Sequence, residues 1–144
     1  MSLPALVFEV EIKSTPEKIW EAITSPDWTQ RYFFGTAVRS DFRRSSKVEW
    51  QNPDGSTACD GEIVEIDAPR RLVTTWRSLW APELAPEVAS RVTWEIEERA
   101  DGCVLRVTHD RLDHSPKTHD AVSTGWPALI GGLRDCVQAA ASAR

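Results

Sequence analysis

Few residues in this sequence are equipped for chemistry, and their spacing limits what they can do. His109, His114 and His119 follow one another at intervals of five. A helical metal pair needs an interval of about four on one face, so these three do not read as a metal site. His109-Asp110 and His119-Asp120 are sequence neighbours. On a strand, neighbours point to opposite faces and make no dyad. His109 closes an alternating run with Leu105 and Val107, which predicts an inward-facing imidazole. Such a group serves as acid, base or ligand-orienting donor, or as a structural hydrogen-bonding histidine. It is the candidate catalytic residue if the protein is an enzyme. No serine sits in a G-x-S-x-G elbow, and no G-x-G-x-x-G or G-x-x-x-x-G-K-[ST] run occurs. No catalytic set is assigned, and no cofactor or metal is implied.

The aromatic residues say more. The chain holds seven Trp against four Phe and one Tyr. Trp76 and Trp94 fall on the inner faces of alternating segments, and Trp126 on a helical stripe. Convergence of the three suits a flat apolar ligand, or else a packed core. Tyr32 and Phe34, with Trp28 and Phe33, stand where short helices end and form either an entrance or a staple. Leu105, Val107, Leu129, Ile130 and Leu133 supply aliphatic walls, and Ser78 and His109 supply polar groups. Together, Tyr32, Phe34, Trp76, Ser78, Trp94, Leu105, Val107, His109, Trp126, Leu129, Ile130 and Leu133 are the candidate ligand-binding residues. Glu65 and Arg77 lie in strands of unresolved facing. Exposed ladder positions are expected for both, because an unpaired buried charge is costly.

The elements that position these residues follow from period and punctuation. Leu6, Phe8, Val10 and Ile12 alternate with polar neighbours and predict a strand. Thr15-Pro16-Glu17 and Ser25-Pro26-Asp27 each open a short helix, the second ending by Gly35. From about residue 36 to 110 the period is two, with turns at Asn52-Pro53-Asp54-Gly55, Asp67-Ala68-Pro69 and Asp101-Gly102. In residues 58–66, Ile63, Val64 and Ile66 leave the facing ambiguous. Val122, Trp126, Leu129, Ile130, Leu133 and Val137 then follow helical spacing, predicting a helix over residues 119–142. Pro127 and Gly131-Gly132 are expected to bend it or weaken its first half. The fold class is α+β: a curved antiparallel sheet of six or seven strands, two short helices after the first strand, and a long C-terminal helix covering one face.

Bulk properties exclude other classes. The 144 residues fit one domain, taken as residues 1–144. The net charge of -5 argues against nucleic acid. No run approaches the length of a membrane span, and the N-terminus does not read as a signal peptide. Cys59, Cys103 and Cys136 form no C-x-x-C pair and leave an odd count, which suits reduced thiols in the cytoplasm. A monomer or homodimer is expected.

Several stretches carry a resemblance. Ser14-Thr15-Pro16-Glu17-Lys18-Ile19-Trp20-Glu21-Ala22-Ile23-Thr24-Ser25-Pro26 resembles the opening motif of the START-related helix-grip (SRPBCC) superfamily. Arg31-Tyr32-Phe33-Phe34-Gly35-Thr36 resembles the branch named after the activator of the heat-shock-protein-90 ATPase. Gly61 to Leu72, Asp101-Gly102 with Leu105 to His109, and Gly125-Trp126-Pro127 with Leu129 and Leu133 fit the same branch. The resemblance implies a sheet gripping the C-terminal helix around a cavity. Its superfamily includes lipid and hormone binders, polyketide cyclases and aromatases, and antibiotic-sequestering proteins. The function it implies is binding of a small hydrophobic or aromatic molecule for transport, sensing or sequestration. A cyclase- or hydrolase-like enzyme in the same cavity is the alternative, and a module that stimulates a chaperone ATPase is the third.

Overall fold

The computed structural model describes residues 3–142. Strand β1 (Leu6–Ile12) leads into helices α1 (Pro16–Thr24) and α2 (Pro26–Tyr32). Six strands follow: β2 (Ala37–Ser40), β3 (Lys47–Gln51), β4 (Thr57–Asp67), β5 (Arg71–Ser78), β6 (Ser90–Arg99) and β7 (Gly102–Asp110). Helix α3 (Pro116–Ser142) ends the fold. The strands form one seven-stranded sheet in the order β1-β7-β6-β5-β4-β3-β2. All six pairings are antiparallel. From β2 to β7 each strand therefore pairs with the next in sequence, and β1 closes onto β7 at the far edge.

Local chemistry sets the element boundaries. The Thr15 side chain accepts the Lys18 N–H, and Pro16 occupies the first turn of α1. Tyr32 donates its hydroxyl to the Ala22 carbonyl at 2.6 Å, tying α2 to α1. Phe34 and Gly35 leave α2 through left-handed conformations, with φ of 53° and 76°. α3 starts three residues earlier than its sequence pattern suggests, at Pro116 rather than residue 119. The cause is a cap from a distant loop: the Glu87 carboxylate accepts the backbone N–H groups of Lys117 and Thr118. α3 also runs unbroken through Pro127, which lies on its exposed side. Tertiary packing thus overrides the local weakness.

The ambiguous facing of β4 has a structural cause. The pairing of β4 with β5 slips between Ile63 and Glu65. Ile63 is buried, Val64 and Glu65 are exposed, and Ile66 turns partly inward again. A β-bulge therefore breaks the period of two.

The two faces of the sheet differ in kind. The convex face carries a row of alternating charges across five strands. Glu9 pairs with Arg106 at 2.6 Å, Arg106 with Glu95 at 4.0 Å, Glu95 with Arg71 at 2.8 Å, and Arg71 with Glu65 at 3.1 Å. Arg77 is also outward, forked onto Asp60. The concave face is apolar and packs against α3. Leu72, Val92, Trp94, Leu105 and Val107 point inward, and Val122, Trp126, Leu129, Ile130, Leu133 and Val137 of α3 meet that face. The core lies in this layer.

Candidate functional site

Aromatic side chains from four elements converge on the concave face. Phe33, just after α2, stacks on Trp50 of β3 with ring centroids 5.4 Å apart. Trp50 lies 5.1 Å from Trp76 of β5, and Trp76 lies 5.6 Å from Trp126 of α3. Trp94 of β6 meets Trp126 edge to face at 5.4 Å. This cluster forms because period-two strands and a helical stripe present their large rings to the same layer.

Beside it a cavity of about 320 Å³ opens between the first half of α3 and the β2-to-β5 end of the sheet. That volume sits at the lower end of the range for small-molecule pockets. Phe33, Phe34 and Thr36 line it from the turn after α2. Asn52, Ala58 and Cys59 line it from the β3–β4 hairpin, Trp76 and Trp80 from β5 and its following loop, and Ala121, Val122, Gly125, Trp126 and Leu129 from α3. Phe34 is 68% exposed and Trp80 48% exposed, so both stand at the mouth. The Cys59 thiol faces the cavity, and burial, helped by Asp60, pushes its pKa up.

Four of the sequence-selected residues therefore line the cavity: Phe34, Trp76, Trp126 and Leu129. Eight do not. Tyr32 is locked against α1 by its hydroxyl, and burial pushes its phenol pKa well up. Ser78 accepts the Trp76 indole N–H at 3.0 Å. Trp94, Leu105, Val107, Ile130 and Leu133 are core residues of the filled part of the concave face.

His109 is the main correction. It does face inward, but it is fully buried and lies outside the cavity wall. The Trp126 indole N–H reaches its Nδ1 at 3.0 Å, and Ser90 Oγ lies 2.6 Å from its Nε2. An indole N–H is only a donor, so Nδ1 must accept and the neutral ring carries its proton on Nε2. Nε2 then donates to Ser90, whose hydroxyl faces the Trp76 carbonyl at 3.4 Å. Burial lowers the His109 pKa to about 3. A Ser–His couple in which the histidine is the base needs a free Nε2 lone pair. The Trp126 bond removes it.

Phe33, Thr36, Asn52, Ala58, Cys59, Trp80, Ala121, Val122 and Gly125 line the cavity without having been selected as ligand-binding residues. Asn52 and Trp80 lie in connections, where no period signals facing. Ala121 and Gly125 shape the space by being small. Two signals are local: Phe33 is an aromatic at the end of the second short helix, and Gly125 is a glycine inside a helical pattern. Among the described residues, no group of His, Cys, Asp or Glu is arranged to hold a metal ion, and no helix is long and apolar enough to cross a membrane.

Known proteins agree with this architecture. CalU16 from Micromonospora echinospora is 20% identical with a TM-score of 0.74, covering 95% of this chain and 81% of that chain. DynU16, a protein of the dynemicin biosynthetic locus, is 18% identical with a TM-score of 0.76, covering 93% of this chain and 47% of that chain. The Aha1 dimer from Colwellia psychrerythraea is 15% identical with a TM-score of 0.74, covering 94% of this chain and 96% of that chain. At these identities the likeness speaks for the fold. No curated protein matches the sequence. The family model described as "Activator of Hsp90 ATPase homolog 1-like protein" matches residues 13–138, and the chain belongs to that family.

Proposed function

We propose that the protein binds a small hydrophobic or aromatic molecule in the cavity between its sheet and α3, for transport, sensing or sequestration. The observation that carries this reading is the cavity of about 320 Å³, lined mainly by apolar and aromatic side chains with Phe34 and Trp80 exposed at its mouth. A space of this kind between well-packed layers is a default binding site. DynU16 comes from a biosynthetic locus, which fits a role with small organic molecules. Three free cysteines fit a reducing cytoplasm.

The test uses the protein's own tryptophans. Trp76, Trp80 and Trp126 line the cavity, so a bound ligand shifts or quenches their emission. Binding to the native state also raises the melting temperature by mass action. A panel of flat hydrophobic compounds should give at least one saturable hit in both signals. A clean negative across a broad panel defeats the reading.

A chaperone-stimulating module is the second reading, favoured by the family description and by the exposed Phe34 and Trp80. Loss of ATPase stimulation on replacing those two residues would support it. The enzymatic alternative has less support, because His109 is sealed off and committed to Trp126 and Ser90.

A further inference from the structure

Four side-chain donors of the cavity wall are already engaged. The Trp76 indole N–H donates to Ser78 at 3.0 Å, and that of Trp126 to His109 at 3.0 Å. The Thr36 hydroxyl donates to the Phe33 carbonyl at 2.7 Å, and the Asn52 amide to Ser56 at 3.1 Å. No Lys, Arg, His, Asp or Glu lines the space. A polar ligand group buried there would lose its water and gain little in return.

One wall residue has a further peculiarity. Gly125 sits inside α3, where glycine is disfavoured relative to alanine. Gly132, further along the helix, has a packing reason: a Cβ there would lie 3.3 Å from the Cβ of Tyr32. A Cβ on Gly125 would meet nothing within 4 Å. Neither close approach nor backbone conformation calls for a glycine at this position. A side chain there would enter the cavity instead.

We infer that the cavity takes an uncharged aromatic molecule that enters with a bare hydrocarbon edge against Gly125 and keeps its polar groups at the mouth, beside Asn52 and Trp80. This rests on the reading of the cavity as a ligand site. Gly125 is the residue that sets the admissible width, and the engaged donors set the polarity.

The test compares phenylnaphthylamine with its sulfonated counterpart, anilinonaphthalene sulfonate, and with the methylacridinium cation. Probe emission and tryptophan quenching are followed in titrations of the full chain. The neutral probe should bind about 100-fold more tightly than either ion, because neither charge finds a partner in the wall. Gly125→Leu should abolish neutral-probe binding while keeping or raising the melting temperature. Gly125→Ala, the milder variant, should weaken binding severalfold and decides the point if the leucine variant does not fold. Equal binding of an ion overturns the ligand class but leaves the cavity reading standing. Unchanged binding by the glycine variants overturns the role of Gly125. Failure of all three probes on the unaltered protein counts against the cavity reading itself.

Discussion

The concave face is made of the same residue types along its length, yet its two halves differ. Toward β6, β7 and β1, Trp94, Leu105 and Val107 are sealed, and the second half of α3 contributes Ile130, Leu133 and Val137 to the same cluster. Toward β3, β4 and β5, Trp76 and Cys59 look across a gap at Ala121 and Gly125 of the first half. The strands do not account for the difference, since both halves carry large rings. It comes from α3, whose Ala121 and Gly125 leave room beside Trp126 in the first half, while Ile130, Leu133 and Val137 fill the second. An aromatic inner face is therefore compatible with a solid core and with a binding space, and small residues on the opposing layer decide between them.

The comparison can be broken most severely in the closed half. Trp94→Ala should cost about 3–5 kcal/mol in a denaturant melt, the range for emptying a packed aromatic site. Trp94→Phe should cost much less, because the Trp94 indole N–H has no partner among the described residues and its loss leaves nothing unpaired. If Trp94→Ala were tolerated, the two halves would not differ as described.

His109 gives the next effect. Its pKa is about 3 in the folded protein, below the ordinary 6.5. Above pH 6.5 the ring is neutral in both states, and its contribution to stability is whole. As the pH falls from 6.5 to 3, the unfolded chain takes up a proton that the folded one refuses, and stability should drop by about 1.4 kcal/mol per unit. Below the folded value the loss levels off. His109→Gln should flatten this part of the pH profile and cost about 1–3 kcal/mol at neutral pH, since Trp126 and Ser90 lose well-placed partners. Melting curves across the pH range read both. Retention of full neutral-probe binding by this variant would sharpen the separation of the histidine from the cavity.

The open half should respond in the opposite direction. Gly125→Ala should stabilise the protein by about 1 kcal/mol, the ordinary gain in a helix interior. Phe34→Gly should stabilise it by up to about 1 kcal/mol, because Phe34 holds a left-handed φ of 53°. The same change should weaken neutral-probe binding severalfold, since it strips one side of the mouth. Stability gained together with binding lost is the signature of residues kept for the space they define.

Much of the fold was legible because its signals are local. Thr15-Pro16-Glu17 caps a helix wherever the chain goes, and the alternation of β6 and β7 fixes which residues face inward. The bulge at Val64 was legible only as a conflict, because one inserted residue makes both periods fit. The helical pattern does not mark the start of α3, because its cap comes from Glu87, some 30 residues away in sequence. The site was harder to read. Facing placed Trp76, Trp126 and Leu129 correctly on the inner surface, but placed Trp94, Leu105 and Leu133 there too. Periodicity tells which side a residue takes, not whether anything fills the space opposite. The alternation points His109 toward the cavity, but the ring is buried outside the cavity wall, because its bond to Trp126 depends on helix placement that no local pattern encodes.

The charge row on the convex face has a consequence for how copies of the protein meet. β1 is an edge strand, and an edge with free backbone groups invites another strand to pair with it. Glu9 and Glu11 project outward from this edge, and Glu9 already neutralises Arg106 within the molecule. A second β1 arriving edge to edge would bring its own Glu9 and Glu11 against these, and like charges across a strand pair are unfavourable. The row thus keeps the border of the sheet unattractive to its own kind. A concentrated solution of a chain this rich in tryptophan should therefore resist fibre formation, and lose that resistance when Glu9 and Glu11 are replaced by neutral residues.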